Sequence, residues 1–466
     1  MAGTFFGINV ASTGLAAQRM ALEVVSQNIA HANDPSYKRQ RLTMIEGLPL
    51  AQAQEAGAAG TTMLGTGVQA GTVQRIRDAL IEHRLMQAGE SSAEWEFMAR
   101  TMSQIEAALA EPSDTGLQTD LNAFWASWNQ VATTPDSIAL RTTLVENTQA
   151  LCSRIQYLYR QIGSAIDDLN FSAVDAVRNI NEIAHEIATI NSQVAALSSG
   201  GAEVNDLLNR RDGLVQDLAK IVSISQFGEG GGDFVITIGG RVLVQGTQMS
   251  TLTNAVDANG NQAIRWSEDG QDIIVQGGQL RALQDLRDTL IPSYLSQLDA
   301  FASNLVEQVN AAHATGKTLT GSDGGNFFVA GSAAGSIAID PTVLNDPRLI
   351  AASSTGAVGD GQVAALIAGL GDRMNPATGL SINQMYRALI GDIGSSASIA
   401  RKQSEAQALS YQQFSTQQQS ISGVSLDEEM TNMIKFQQAY NACARVISVM
   451  DEMLGVLIEK TGAIGR

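Results

Sequence analysis

Gly423-Val424-Ser425-Leu426-Asp427-Glu428-Glu429 opens a stretch, residues 423–461, whose reading decides the fold. Ser425 followed three residues later by Glu428 is a capping box, which satisfies two of the free N–H groups at a helix start. Asp427, Glu428 and Glu429 stand where the helix dipole favours negative charge. Beyond this cap no proline occurs, and no glycine before Gly455. Phe436, Tyr440, Cys443, Ile447, Met450, Leu454 and Leu457 are spaced alternately four and three apart, the a/d seam of a helix that needs a second helix to cover it. An amphipathic helix packed on its own domain carries the same stripe, so the choice between the two depends on the rest of the chain.

The other end supplies a matching seam. Ile8, Ala11, Leu15, Gln18, Leu22, Val25 and Ile29 repeat the three-four alternation, with no proline before Pro35. Two seams at opposite ends of one chain can cover each other only if the termini come back together. Each is short and rich in alanine, and isolated helices of this kind are marginal in water. The expectation is a terminal pair that is weak alone and firm when neighbours pack around it. Gln18 on the seam is a small burial cost and a register device, or else it points outward at the helix edge.

Outward from the termini, the chain is long enough, at 466 residues, for about three domains with a sizeable core. Aromatic residues make up only 5% and charged residues 16%, which favours long, thin helical packing over a deep ligand pocket. A net charge of −18 opposes nucleic-acid binding, since phosphate contacts need a basic face. Lys38, Arg39 and Arg41 form a short basic cluster that reads as a solvated turn. Cys152 and Cys443 read as small buried thiols, with no disulfide framework or metal spacing. No apolar run reaches the roughly 18 residues that span a bilayer, and no cleavable signal peptide is visible. Taken alone, that predicts a cytoplasmic chain, unless export reads an uncleaved segment.

In chain order, residues 4–32 are helical by pattern and stop at Pro35. The stretch from Arg39 to about Arg77 suggests extended or hairpin structure, with Thr61, Thr62, Gly65, Gly67, Val68 and Val73. Helix dominates from about Asp78 to Ile221, broken at 112–116, at Pro135 and at 198–201. Its longest segment runs from Asp136 to about Leu197, a length that suits a rod-like bundle. The period then switches to two. Phe234–Ile238, Gly239-Gly240 and Arg241–Val244 read as a hairpin, with further strands expected at Ala263–Trp266 and Ile273–Val275. Helix resumes from Gln279 to about Ala314, and a glycine-rich, loop-rich stretch precedes a last long helix from about Ile382 to Ser420.

The fold class expected is therefore mainly α with a small all-β insertion, an elongated multi-domain rod whose terminal helices pair as a coiled coil. Three units are predicted: 1–38 with 423–466, a terminal coiled-coil domain; 39–221 with 279–422, an elongated helical bundle; and 222–278, an inserted β domain. Such a chain goes out and comes back, so its outer parts are encoded in the middle.

Nothing in the chain assembles a catalytic set. Glu182 and His185 have the Glu-x-x-His spacing of di-iron bundles, but that site needs a second such pair and two more glutamates. Thr315-Gly316-Lys317-Thr318 imitates the end of a phosphate-binding loop, yet Ala311 stands where its first glycine belongs and a helix precedes it. Gly228–Gly232 lacks the dinucleotide spacing. With no nucleophile and base paired, no enzyme activity, cofactor or metal is predicted.

Ser26-Gln27-Asn28-Ile29-Ala30-His31-Ala32-Asn33, followed by Tyr37, resembles the signature of the rod and hook proteins of the bacterial flagellum, with Ser36 where that family usually has Gly. Gln437-Gln438-Ala439-Tyr440, Ala444–Ile447 and Asp451–Leu454 resemble the same proteins' C-terminal helix. Three further stretches, Asn205–Asp212, Leu286–Pro292 and Ser422–Glu429, are similar to the hook–filament junction proteins, the FlgK family of hook-associated proteins. Hook and rod proteins resemble the chain only at its ends; a secreted enzyme with coiled termini, the second rival, would need a clustered catalytic set in the middle, where none is visible, and a cytosolic signalling coiled coil, the third, would show protease protection inside intact cells.

This resemblance implies a non-enzymatic building block at the hook–filament junction, secreted by the flagellar type III export apparatus from an uncleaved N-terminal region. The subunits would form a ring with the hook protein below and hook-associated protein 3 and the filament above. A cytosolic export chaperone would bind the C-terminus; neither nucleic acid nor membrane is a partner. The family positions carried over are Asn28, Asn33, Tyr37, Asp427 and Glu428.

Overall fold

A computed structural model describes residues 4–34, 36–53, 61–109, 111, 116–200, 203–228, 232–376 and 379–461. The sequence breaks at Pro35, at 112–115 and at Gly201 lie outside the described residues.

Helix α1 spans Thr4–Ala30. A ribbon follows, built of β1 (Gln40–Glu46), β2 (Leu50–Ala53), β3 (Thr61–Leu64) and β4 (Val68–Arg75). β1 and β4 pair antiparallel from Gln40↔Arg75 to Glu46↔Val68, with an irregularity between Leu42 and Met44. β2 and β3 continue the ribbon from Leu50↔Leu64 to Ala53↔Thr61. The ribbon runs back along α1. Gln40 sits against Asn28 at one end, and Gly67 lies against Val10 at the other. Gly67 has φ +88°, and a Cβ there would come within 2.9 Å of Val10 Cγ1, so both backbone and space require glycine. Residue 38, where a division was expected, lies just before this ribbon, which contacts both α1 and α5.

The bundle begins with α2 (Ala79–Leu109), whose first turn is capped by Asp78 Oδ1, accepting from Leu80 N at 2.9 Å. It continues with α3 (Leu117–Thr133), α4 (Ile138–Ser199) and α5 (Asn205–Ile221). Ser137 caps α4 by accepting from Leu140 N. At 62 residues α4 is about 90 Å long and forms the axis of the rod. Its buried row includes Leu144, Leu151, Ile155, Leu158, Ile162, Leu169, Val177, Ile180 and Ile187.

The β insertion holds a four-stranded antiparallel sheet in the order β5 (Ser225–Phe227), β6 (Val235–Ile238), β7 (Arg241–Gln245) and β8 (Gln248–Met249). The β6–β7 turn places Gly239 and Gly240 at φ +57° and +85°, the left-handed pair that a tight hairpin demands. Strands β9 (Leu252–Val256) and β10 (Gln262–Trp266) form a second hairpin. Ile273–Val275, expected as a strand, is not one. Asp272 bridges Arg265 and Ile273 N bonds Ile264 O, but no further ladder forms. Ile273 and Val275 alternate because both are buried against the core, and burial alone reproduces a period of two.

Helices α6 (Gln279–Asp285) and α7 (Ile291–His313) are joined without a break by a π turn at Leu286–Leu290. Pro292 explains the wider turn: it has no N–H to continue the ladder, and its ring crowds the preceding turn. Beyond α7 come β11 (Lys317–Thr318), α8 (Pro341–Asn345), β12 (Ala351–Ser353) and α9 (Gln362–Ala368). They pack with α3 around Phe124, Trp128, Phe327, Phe328 and His313, all fully buried. One aromatic cluster, Phe124, Trp128, Phe327 and Phe328 with His313, thus sits at one end of the rod. Arg141, near the start of α4, bonds the carbonyls of Pro347 and Ile350 at that end, whereas Asn181 and Asn191 near the other end hold Leu252 and Gly246 of the β insertion. The far tip is therefore built by α3, α9 and the loop-rich stretch. The β insertion lies alongside the half of α4 nearer the termini.

Helix α10 (Ile382–Ser422) returns along α2, with Ser381 and Gln384 forming a reciprocal capping box. Three residues later α11 (Leu426–Thr461) starts and packs on α1.

Candidate functional site

Helices α1 and α11 run antiparallel. Gly7 faces Met450, Gly14 lies 3.4 Å (as a Cβ would) from Cys443 Sγ, and Asn28 meets Glu429. Of the seam positions, Ala11 and Val25 are buried, and Ile8, Leu15, Gln18, Leu22 and Ile29 are half-buried. Phe436, Tyr440, Cys443, Ile447, Met450 and Leu454 are half-buried and Leu457 is exposed. Gln18 does not simply point outward: its Oε1 is out of solvent with no hydrogen-bond partner among the described residues. Another face of α11 carries Met430, Ile434, Val446, Val449, Met453 and Val456, each about half exposed or more. Among the described residues of α11, the one buried side chain is a carboxylate, Glu429, at 1% exposure.

That carboxylate is held by the N-terminal motif. Asn28, itself buried, uses its whole amide. Nδ2 donates to Gln40 O at 2.9 Å and to Glu429 Oε2 at 3.0 Å, while Oδ1 accepts from Tyr37 Oη at 3.0 Å and from Gln40 N at 2.9 Å. Arg39 completes the grip, with Nε 2.7 Å from Glu429 Oε1 and Nη1 on Glu428. Tyr37 stacks on His31 at 4.7 Å, and burial followed by the charges of Asp206 and Glu429 pushes its hydroxyl well above the usual phenol range. Asn33 is exposed in the loop, and Asp427 is exposed in the first turn of α11. At Ser36, N and Oγ both donate to Asp34 Oδ1, and these bonds hold the Asp34 carboxyl below its ordinary value.

The next residue along faces the rod. Lys38 was expected in a solvated turn, yet it is 4% exposed and its ammonium binds Asp212 Oδ2 at 2.7 Å and also Glu82. Arg75 Nη1 joins Asp212 at 2.8 Å and Asn209 Oδ1 at 3.1 Å. Burial alone would raise the Asp212 carboxyl; the two cations and their hydrogen bonds outweigh it and hold the group below its ordinary value. Gln40 Nε2 donates to Asp206 Oδ1, and Asn205 Nδ2 donates to Gln40 Oε1 and Val73 O. Arg41 alone of the basic cluster is exposed. The sequence signal for this site was the run of acids at Asp206, Asp212, Glu428 and Glu429, which local patterns could not pair with their cations.

Each of the three internal stretches turns out to be a joint. Asn205–Asp212 grips the ribbon with Asn205, Asp206, Asn209 and Asp212. On its other side Arg210 pairs with Glu186, and Arg211 bonds Asn191 Oδ1 at 2.9 Å and stacks 3.8 Å over Phe234. Burial lowers Arg211 to about 10. In Leu286–Pro292, buried Arg287 donates to Gln262 O at 2.7 Å and pairs with Asp288, tying the β insertion to the π turn. Ser422–Glu429 gives a carbonyl at Ser422 to Arg39 N at 2.8 Å, then the two carboxylates. Chemistry elsewhere is sparse. Glu182 and His185 lie exposed on α4, Cys152 is buried and its thiol pushed up to about 12 by burial, and among the described residues no group of His, Cys, Asp and Glu could hold a metal. Among them, too, no helix is long and apolar enough to cross a membrane.

Residues 102–328 match the model of the flagellar hook-associated protein FlgK helical domain, and residues 416–459 match that of the flagellar basal body rod FlgEFG protein C-terminal region. The chain is 28% identical to flagellar hook-associated protein 1 of Bacillus subtilis, over all of both chains. It is 26% identical to the protein of that name in Escherichia coli, over 97% of this chain and 99% of that one. The solved flagellar hook junction protein FlgK of Burkholderia pseudomallei shares the fold, with a TM-score of 0.65 at 16% identity, across 72% of this chain and all of its own. The molecule is thus a structural component of the bacterial flagellum and not an enzyme. Its residues 102–328 carry the FlgK helical domain, and along its whole length the chain is similar to flagellar hook-associated protein 1.

Proposed function

We propose that the chain joins hook to filament by assembling into a ring through its paired terminal helices, which act as a coiled coil lining the inner tube. The observation that carries this reading is the state of α11, a 36-residue helix with no buried apolar side chain among its described residues. Ordering backbone costs roughly 1–2 kcal/mol per residue, and α1 alone covers one face of this helix. Neighbouring copies, with hook protein below and hook-associated protein 3 and filament above, would cover the rest and shift the equilibrium towards order. An apolar face left open in the cytosol fits shielding by an export chaperone at the C-terminus. Passage through the flagellar type III apparatus would then deliver the chain outside the cell. In this reading the terminal unit, the helical rod and the β insertion are an axial core, an arm and a side module.

Leu454→Asp puts a charge on the seam while leaving the rod untouched. The variant is expected to keep the rod's helical content by circular dichroism and to fail to enter flagella. Junctions of normal composition built from it would overturn the paired-helix reading. Gold-labelled antibody to residues 222–278 should mark a single band where hook meets filament.

A further inference from the structure

We propose that the adjacent residues Lys38 and Arg39 form a two-sided latch that couples docking of α11 to closure of the rod on its ribbon. The geometry is a hinge. Chain crosses between the terminal layer and the rod at residues 76–78 and 423–425, three residues each. Polar contacts of Arg75, Gln40 and Asn205 also join the two layers there, but only this dipeptide reaches both the rod and α11. Consecutive side chains leading into a strand point to opposite sides, and these two do so: Lys38 reaches Asp212 and Glu82 on the rod, Arg39 reaches Glu428 and Glu429 on α11. The backbone between them is held too. Arg39 N donates to Ser422 O and Arg39 O accepts from Ile76 N, both at 2.8 Å. One residue therefore binds the end of α10, the exit of the ribbon and the start of α11.

Beneath the latch lies a cavity of about 250 Å³, walled by Tyr37 and Lys38 on one side, Gly213 and Gln216 on a second, and Gln418 and Val424 on a third. Since α11 buries no other side chain among its described residues, losing Glu429 from its socket removes the ion pair of Arg39 and leaves the backbone that orients Lys38 tied only to Ser422 and Ile76. Capture of α11 by an apolar helical partner would thus be felt at α5. This use of the latch rests on the reading that other chains cover α11; the coupling itself does not.

The test uses the full-length chain in solution. Glu428→Gln with Glu429→Gln alters only the α11 side, and amide hydrogen exchange is followed peptide by peptide. Exchange in α5 is expected to speed up by about tenfold, although no substituted residue touches α5. The reciprocal Asp212→Asn should speed exchange in the first turns of α11 similarly. Peptides carrying Phe327 and Phe328 report the intact far tip. Acceleration confined to the substituted side in both variants would overturn the coupling. That outcome is independent of the Leu454→Asp incorporation test, which addresses assembly alone.

Discussion

The Asn28 amide donates to the Glu429 carboxylate at 3.0 Å across 401 residues of sequence. This bond closes the chain on itself: it fixes where α11 begins relative to where α1 ends. It is also fully specified, because the other three hydrogen-bonding positions of the amide are filled by Gln40 and Tyr37.

Asn28→Ala is expected to loosen the terminal unit by about 4 kcal/mol, since four bonds are lost at roughly 1 kcal/mol each net. Urea denaturation followed by exchange should show α1 and α11 opening well before the rod. A single unshifted transition would mean that Asn28 is not the anchor.

Gln18→Leu should act in the opposite direction. Removing a buried oxygen that has no partner among the described residues and adding apolar area at the seam is expected to stabilise the pair by about 1 kcal/mol. A higher melting temperature for the α1 and α11 peptides in exchange would be the sign.

His313 makes the far tip acid-sensitive. Its ring is buried and neutral, with Nδ1 donating to Gly325 O and Nε2 accepting from Ala351 N, each at 2.7 Å. Burial, helped by the Arg141 charge, holds its proton affinity below the ordinary value of 6.5, against the pull of Gly325 and Asp340. The unfolded chain takes the proton first, so this stability is complete above about pH 6.5 and is lost as pH falls towards the lowered folded value. The denaturant midpoint should drop between pH 7.5 and 5.5, and His313→Gln should flatten that slope.

Gly213→Ala should stiffen the hinge. Its Cβ would stand 3.9 Å from Ser36 Cβ, ordinary contact facing the cavity, and alanine is worth up to about 1 kcal/mol over glycine inside a helix. Slower exchange in α5 and the 36–40 loop would show it.

Much of this architecture was legible because it is periodic. The seams of α1 and α11, the long row of α4 and the Gly239-Gly240 hairpin each repeat with the spacing of the element that makes them. Ile273–Val275 shows the limit of that reading, since a buried segment alternates whether or not a strand lies beside it. The anchor was illegible for a different reason. Lys38 meets Asp212 across 174 residues and Arg39 meets Glu428 across 389, and an ion pair leaves no local period. A lysine about to be buried looks, in sequence, like any lysine in a turn. The stretches Asn205–Asp212 and Leu286–Pro292 stood out only by resemblance, and the structure supplies their physics: each is a row of side chains reaching two ways at once.

Helix α4 runs its 62 residues without a break, and that continuity gives the molecule mechanical leverage. A rigid arm of about 90 Å amplifies whatever happens at its base: a swing of only about 10° near Asp212 would carry the far tip through roughly 16 Å. Ångström-scale choices among a few charged side chains would thereby be read out as displacements wider than a helix.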